Sequence, residues 1–168
     1  MAIELYSLCE VVEKNYSQYY NIHKEGVPAG MPVLFRGTYF GKGQKSIFKM
    51  VGNENIEHLY CFTQRRFDGQ AVKRCIDYAI KDATGRIRPN EKLSTANINV
   101  IFISNGFTAD AVQEIKQSRY TKKYEEAFFA KTELLACAAD ANLEKTWNNA
   151  KGYDVAAYFK SVFRAQHR

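Results

Sequence analysis

The chain has 168 residues, about what one hydrophobic core of ~100–200 residues serves, which excludes a large multidomain machine. Hydrophobic residues at 46% and charged residues at 25% exclude wholesale disorder and leave enough apolar material for a core without disulfide staples. Lys and Arg number 24 against 18 Asp and Glu, a net charge of +6; this balance favours a polyanionic partner such as nucleic acid or anionic lipid, or else serves solubility alone.

Leu5, Leu8, Cys9, Val12, Tyr16 and Tyr19 or Tyr20 fall at the spacing of one helix face, with Glu4, Glu10, Glu13 and Lys14 on the other. Gly26, Pro28, Gly30 and Pro32 end that helix. Val33 to Phe40, Ser46 to Val51 and Glu57 to Gln64 read as three strands separated by turns at Gly41-Lys42-Gly43 and Gly52-Asn53-Glu54-Asn55, an antiparallel meander. The segment 41–46 carries Gly and Lys but lacks the spacing of a phosphate loop, so it is a turn. Ala71, Val72, Cys75, Ile76, Ala79 and Ile80 then follow helical spacing after Asp68 or Gly69.

Gly85 to Lys92 is a basic connection. Ile98 to Ile103 is a β-branched strand expected to be buried on both faces, stopped by Ser104-Asn105-Gly106. Thr108 can cap a helix carrying Ala111, Val112 and Ile115. Ala127 to Ala130 reads as a fifth strand, and Thr132 as the cap of a helix carrying Leu134, Leu135, Ala138 and Ala139. Lys122 to Glu126 reads as an exposed mixed-charge connection. Val155, Tyr158, Phe159, Val162 and Phe163 mark a last helix. The order αβββαβαβαα predicts an α/β fold with a mixed central sheet of about five strands flanked by helices. Right-handed crossovers in its second half imply at least three parallel strands. One domain is expected, with an N-terminal helix over 1–30, a core over 33–140 and a C-terminal helical segment over 141–168.

Cys9, Cys61, Cys75 and Cys137 each lie in an apolar stretch, with no C-x-x-C pair. They are expected to be buried, reduced thiols, which implies a reducing compartment. The N-terminus lacks a basic region followed by an apolar one, and no run approaches ~18 apolar residues, so a cytoplasmic, soluble chain without a membrane span is expected. His23, His58 and His167 show no metal-ligand spacing.

Three stretches resemble the restriction-endonuclease-like, or PD-(D/E)XK, superfamily, and within it the catalytic domain of Mrr-type type IV restriction enzymes. Leu59-Tyr60-Cys61-Phe62-Thr63-Gln64-Arg65-Arg66-Phe67 is similar to that family's third strand, an apolar run followed by Gln-x-Lys-Arg-aromatic. Val100 to Ala111 is similar to its strand, small polar turn and Phe-Thr helix start; Ala127 to Leu135 is similar to its last short strand and Glu-Leu-Leu segment.

The resemblance implies a nucleic-acid-binding domain. It also implies a divalent metal, Mg²⁺, held by carboxylates of the second and third strands, with a third-strand Lys supporting phosphodiester hydrolysis. Gln64 stands at the carboxylate-or-Gln position and Arg66 at the Lys position, and i, i+2 spacing would put both on one face of a strand. The expected second strand offers Lys45 and Lys49 where an acid belongs, and Arg cannot replace Lys in proton chemistry. The metal ligands are therefore unassigned. A complete site would need Glu54 or Glu57, Asp68, and Glu10 or Glu13. The expectation is a degenerate metal site: catalytic positions Gln64 and Arg66, Mg²⁺ only if cleavage persists, and nucleic acid held by Lys42, Lys45, Lys49, Arg65, Lys73 and Arg74. Arg86 and Arg88 would join these cations in one cleft, with Tyr39 and Phe40 stacking on bases where exposed. DNA stands ahead of RNA as partner. The alternative is a non-catalytic module or inhibitor that uses the same fold to bind a protein. A homodimer is compatible with either.

Overall fold

The structure, a computed structural model, describes residues 3–42, 54–88, 93–124 and 130–168. Helix α1 (Leu5–Ser17) is followed by strands β1 (Asn21–His23), β2 (Val33–Lys42) and β3 (Glu54–Thr63). Helix α2 (Gly69–Arg86) leads to β4 (Leu93–Ser104), and α3 (Ala109–Gln117) to β5 (Thr121–Lys123) and β6 (Lys131–Asp140). Strand β7 (Lys145–Asn148) and helix α4 (Tyr153–Ala165) complete the chain. Both predicted caps are present. The Asp68 carboxylate accepts from Ala71 N–H at 2.8 Å, and the Thr108 hydroxyl accepts from Ala111 N–H at 3.3 Å.

The strands form one mixed sheet in the order β1-β2-β3-β4-β6-β5, with β7 also on β6. β1, β2 and β3 pair antiparallel; β3, β4 and β6 are the expected three parallel strands. Their side chains alternate between two cores. Tyr60, Phe62, Ile98, Val100, Phe102 and Leu134 face α2 and α3; Leu59, Cys61, Ile101, Ile103 and Cys137 face α1 and α4. The central strands are therefore buried on both sides, which explains their unbroken apolar runs.

Three local readings change. β2 pairs directly with β3 from Val33↔Phe62 to Lys42↔Glu54, so the sheet is not built as a meander with a strand over 46–51 between them; 46–51 itself lies outside the described residues. Residues 131–140 form β6 rather than a helix capped by Thr132. Ala and Leu favour helix locally, but pairing along the whole of β4 and burial on both faces override that preference. Residues 127–129 of the expected fifth strand lie outside the described residues, and Ala130 precedes β6. The segment 141–168 is helical only from Tyr153; β7 comes first.

The Ala-rich composition of β6 has a packing reason. A Cβ placed on Gly152, just before α4, would stand 2.2 Å from the Ala136 carbonyl oxygen, so the chain entering α4 touches the β6 backbone itself. On its free edge β6 pairs with β5 over 131–133 and β7 over 137–140. Buried Asn149 fills the gap between them. Its Oδ1 accepts from Ala136 N–H at 3.0 Å, its Nδ2 donates to the Leu134 carbonyl at 3.0 Å, and its own N–H donates to the Ala136 carbonyl at 3.0 Å. The amide also donates to Ser118 O at 3.1 Å, tying the residue after α3 to the same point.

All four cysteines are free and buried. Burial pushes the Cys75 and Cys137 thiols up to about 12, against small opposing effects of Arg74 and Lys160; such thiols are inert. No described helix is long and apolar enough to cross a membrane.

Candidate functional site

Strand β3 ends at Thr63, one residue before the pair expected to project from it. Gln64, Arg65 and Arg66 lie in the loop leading to α2. The Gln64 Nε2 donates to the Arg66 carbonyl at 2.8 Å, so the pair closes a turn and the alternation of a strand no longer governs it. Arg65 and Arg66 are exposed and Gln64 is half-buried. Lys73 and Arg74 are exposed in the early turns of α2, which starts at the same edge of the sheet. These four cations occupy the C-terminal edge of the parallel strands.

Lys42 does not join them. Because β2 and β3 are antiparallel, Lys42 pairs with Glu54 at the start of β3, about 30 Å along the strand from Thr63 at ~3.3 Å per residue. Arg86, at the far end of α2, is likewise outside the group. Lys45 and Lys49 lie outside the described residues. Exposed Tyr39 and Phe40 sit near the end of β2, away from Arg65 and Arg66. The expected single cleft is thus divided by strand direction.

The same geometry tests the metal. Glu57 stands about 20 Å up β3 from Thr63, and Glu54 further still. The Asp68 carboxylate caps α2, and Glu13 pairs with Lys24 at 2.5 Å. No described residue of β2 is acidic. Among the described residues no group of three or more His, Cys, Asp and Glu side chains could hold a metal ion. A hard divalent cation needs anionic oxygen, whereas the end of β3 offers a neutral amide and two guanidinium groups. These residues do not fit Mg²⁺.

A second polar site lies on the α2 face of the sheet, where the sequence assigned only Arg86, and that to the nucleic-acid cleft. Arg36 on β2 and His58 and Tyr60 on β3 share that face, and Asp82 and Arg86 of α2 close over them around a cavity of about 530 Å³. Asp82 is the hub. It accepts from Tyr60 Oη at 2.7 Å and from Arg86 Nε at 3.0 Å, and it stands 3.5 Å from Arg36 Nη1. Burial alone would raise the Asp82 pKa, but the Tyr60 hydrogen bond and the charges of Arg86 and Arg36 hold it below the ordinary value. Arg36 also donates to the Glu25 carbonyl. An arginine inside the aromatic run Val33 to Phe40 was the sequence signal for this site, because a cation in a covered strand needs a partner.

His58 is 8% exposed. Burial, and then the positive charge of Arg86, lower its pKa, with Asp82 opposing. The unfolded chain therefore takes up a proton at this residue before the folded one does. Its contribution to stability is present above about pH 6.5 and is lost as pH falls towards the lowered native value. Urea midpoints measured at about pH 7.5 and 5.5 should fall more in the parent chain than in His58→Gln. Equal falls would show that His58 does not titrate differently on folding.

A family model described as Domain of unknown function (DUF8052) matches residues 6–161, and the chain belongs to that family. Neither the curated proteins nor the solved structures contain a match to the chain.

Proposed function

We propose that the chain is a restriction-endonuclease-like domain that binds nucleic acid, DNA in preference to RNA, through the C-terminal edge of its parallel strands, and that it does not hydrolyse it. An antiparallel β1-β2-β3 unit followed by α2, parallel β4, α3 and parallel β6, with helices on both faces, supports the fold reading. The observation that carries the binding reading is the exposed group Arg65, Arg66, Lys73 and Arg74. Among the described residues none of the four forms an ion pair. Cations without internal partners are free to neutralise phosphates, and releasing the counterions condensed on DNA drives such binding without any base being read. The absence of hydrolysis follows from the donor set at the end of β3, which repels the metal that would activate water.

Fluorescence anisotropy with a labelled duplex tests the surface. Arg66→Ala and Arg74→Ala should each weaken binding on every sequence tried and reduce the slope of log K against log salt by about one. Both sit on exposed positions, so folding is not at stake. Unchanged binding in both variants removes the surface assignment. Nucleic-acid affinity indifferent to salt would favour the protein-partner reading of the same fold.

A further inference from the structure

On the opposite face of the sheet from Arg36, near the start of the parallel strands, the C-terminal end of α1 and the N-terminal end of α4 leave a cavity of about 480 Å³. Tyrosines supply its walls. Tyr16 and Tyr20 lie with ring centroids 5.4 Å apart, Tyr20 and Tyr39 5.6 Å apart, and Tyr16 and Tyr158 5.5 Å apart. Two carboxylates line it, Glu57 from β3 and Asp154 from the first turn of α4, and among the described residues no Lys or Arg does. In a chain with six more cations than anions, this is a local reversal of sign.

Asn99 of β4 supplies an independent observation. It lines the cavity and is only 4% exposed, yet among the described residues its Oδ1 has no hydrogen-bond partner. An acceptor so enclosed is unfavourable without a donor, and only a rearrangement of the cavity wall would bring one to it. The other polar groups are already arranged. Tyr20 donates its hydroxyl to Glu57, and Tyr158 accepts from Asn15 Nδ2 at 2.8 Å. Burial, reinforced by the hydrogen bond to Glu57, raises the Tyr20 pKa, so this phenol stays neutral.

We infer that this tyrosine-walled cavity binds an organic ammonium ion. The aromatic rings attract the cation and the carboxylates compensate its charge. An anion would meet two carboxylates here, and a neutral apolar ligand would leave them without a counter-charge. The inference is independent of nucleic-acid binding, which uses the other end of β3.

Isothermal titration with choline, tetramethylammonium and n-butylammonium tests it, with 3,3-dimethylbutanol as the uncharged counterpart of choline. At least one ammonium should bind, and choline about tenfold or more tighter than the uncharged alcohol. Glu57→Gln keeps the shape and an acceptor for Tyr20, and should weaken ammonium binding by about tenfold. Tyr39→Leu removes a wall at a partly exposed position and should weaken it too. The ligand comparison needs no variant, so a poorly folding mutant does not blunt the test. Equal binding of choline and the alcohol, unchanged affinity in Glu57→Gln, or no binding across the ammonium series overturns the inference.

Discussion

Asn149→Ala should lower the unfolding free energy by about 3–5 kcal/mol, as measured by urea denaturation. Asn149 is 2% exposed and takes the place of a missing neighbour on β6. Its removal leaves Ala136 N–H, Leu134 O and Ser118 O without the partners they have now. Each uncompensated buried group costs about 1–3 kcal/mol, and a domain holds only about 5–15 kcal/mol in total. Asn149→Asp keeps the acceptor for Ala136 but loses both donations and buries a charge, so it should not rescue. A loss under about 1 kcal/mol in the alanine variant would mean that water replaces the amide and that the β6 edge does not depend on it.

The second large effect is expected at Asp82. Asp82→Ala should cost about 2–4 kcal/mol, because it strands the Arg36 guanidinium, whose side chain is only 11% exposed, and takes the acceptor from Tyr60 Oη. Removing a partner from a covered ion pair is worse than removing both. The double variant Arg36→Leu with Asp82→Ala should therefore be more stable than Asp82→Ala alone. A double-mutant cycle by thermal or urea unfolding reads this directly. Simple additivity of the two substitutions would show that the pair carries no coupling and that Asp82 is held by Arg86 and Tyr60 without Arg36.

These two sites also mark where sequence reading ends. The four amphipathic helices, the caps at Asp68 and Thr108, and the doubly buried β4 were legible because each rests on neighbours within a few residues. β6 was not, because its Ala and Leu residues favour helix and only pairing with β4 decides otherwise. β1 was missed for a similar reason: three residues carry no periodic pattern, and β2 defines them. Arg36 and Asp82 are separated by most of two strands and a helix, so nothing local connects them.

The candidate interface was legible in part. Arg65, Arg66, Lys73 and Arg74 are exposed and follow one another closely along the chain. The pairing of Gln64 with Arg66 on a strand face failed by a single residue at the end of β3, and i, i+2 geometry has no meaning beyond a strand's end. Lys42, read as part of the turn before a second strand, was grouped with them because the resemblance implied that the ends of the second and third strands face one cleft. Antiparallel pairing sends those ends to opposite edges. The tyrosine cavity was invisible for the same reason as the Asp82 hub, since Tyr16, Tyr39 and Tyr158 meet only through the fold.

A salt titration of duplex DNA binding, run with and without Mg²⁺ and followed on a gel for strand scission, tests the central reading. With four phosphate contacts, log K should fall against log salt with a slope of about −3 to −4, while the DNA stays intact whether or not Mg²⁺ is present. Binding with no salt dependence, no binding at low salt, or Mg²⁺-dependent scission abolished by Gln64→Ala would contradict it.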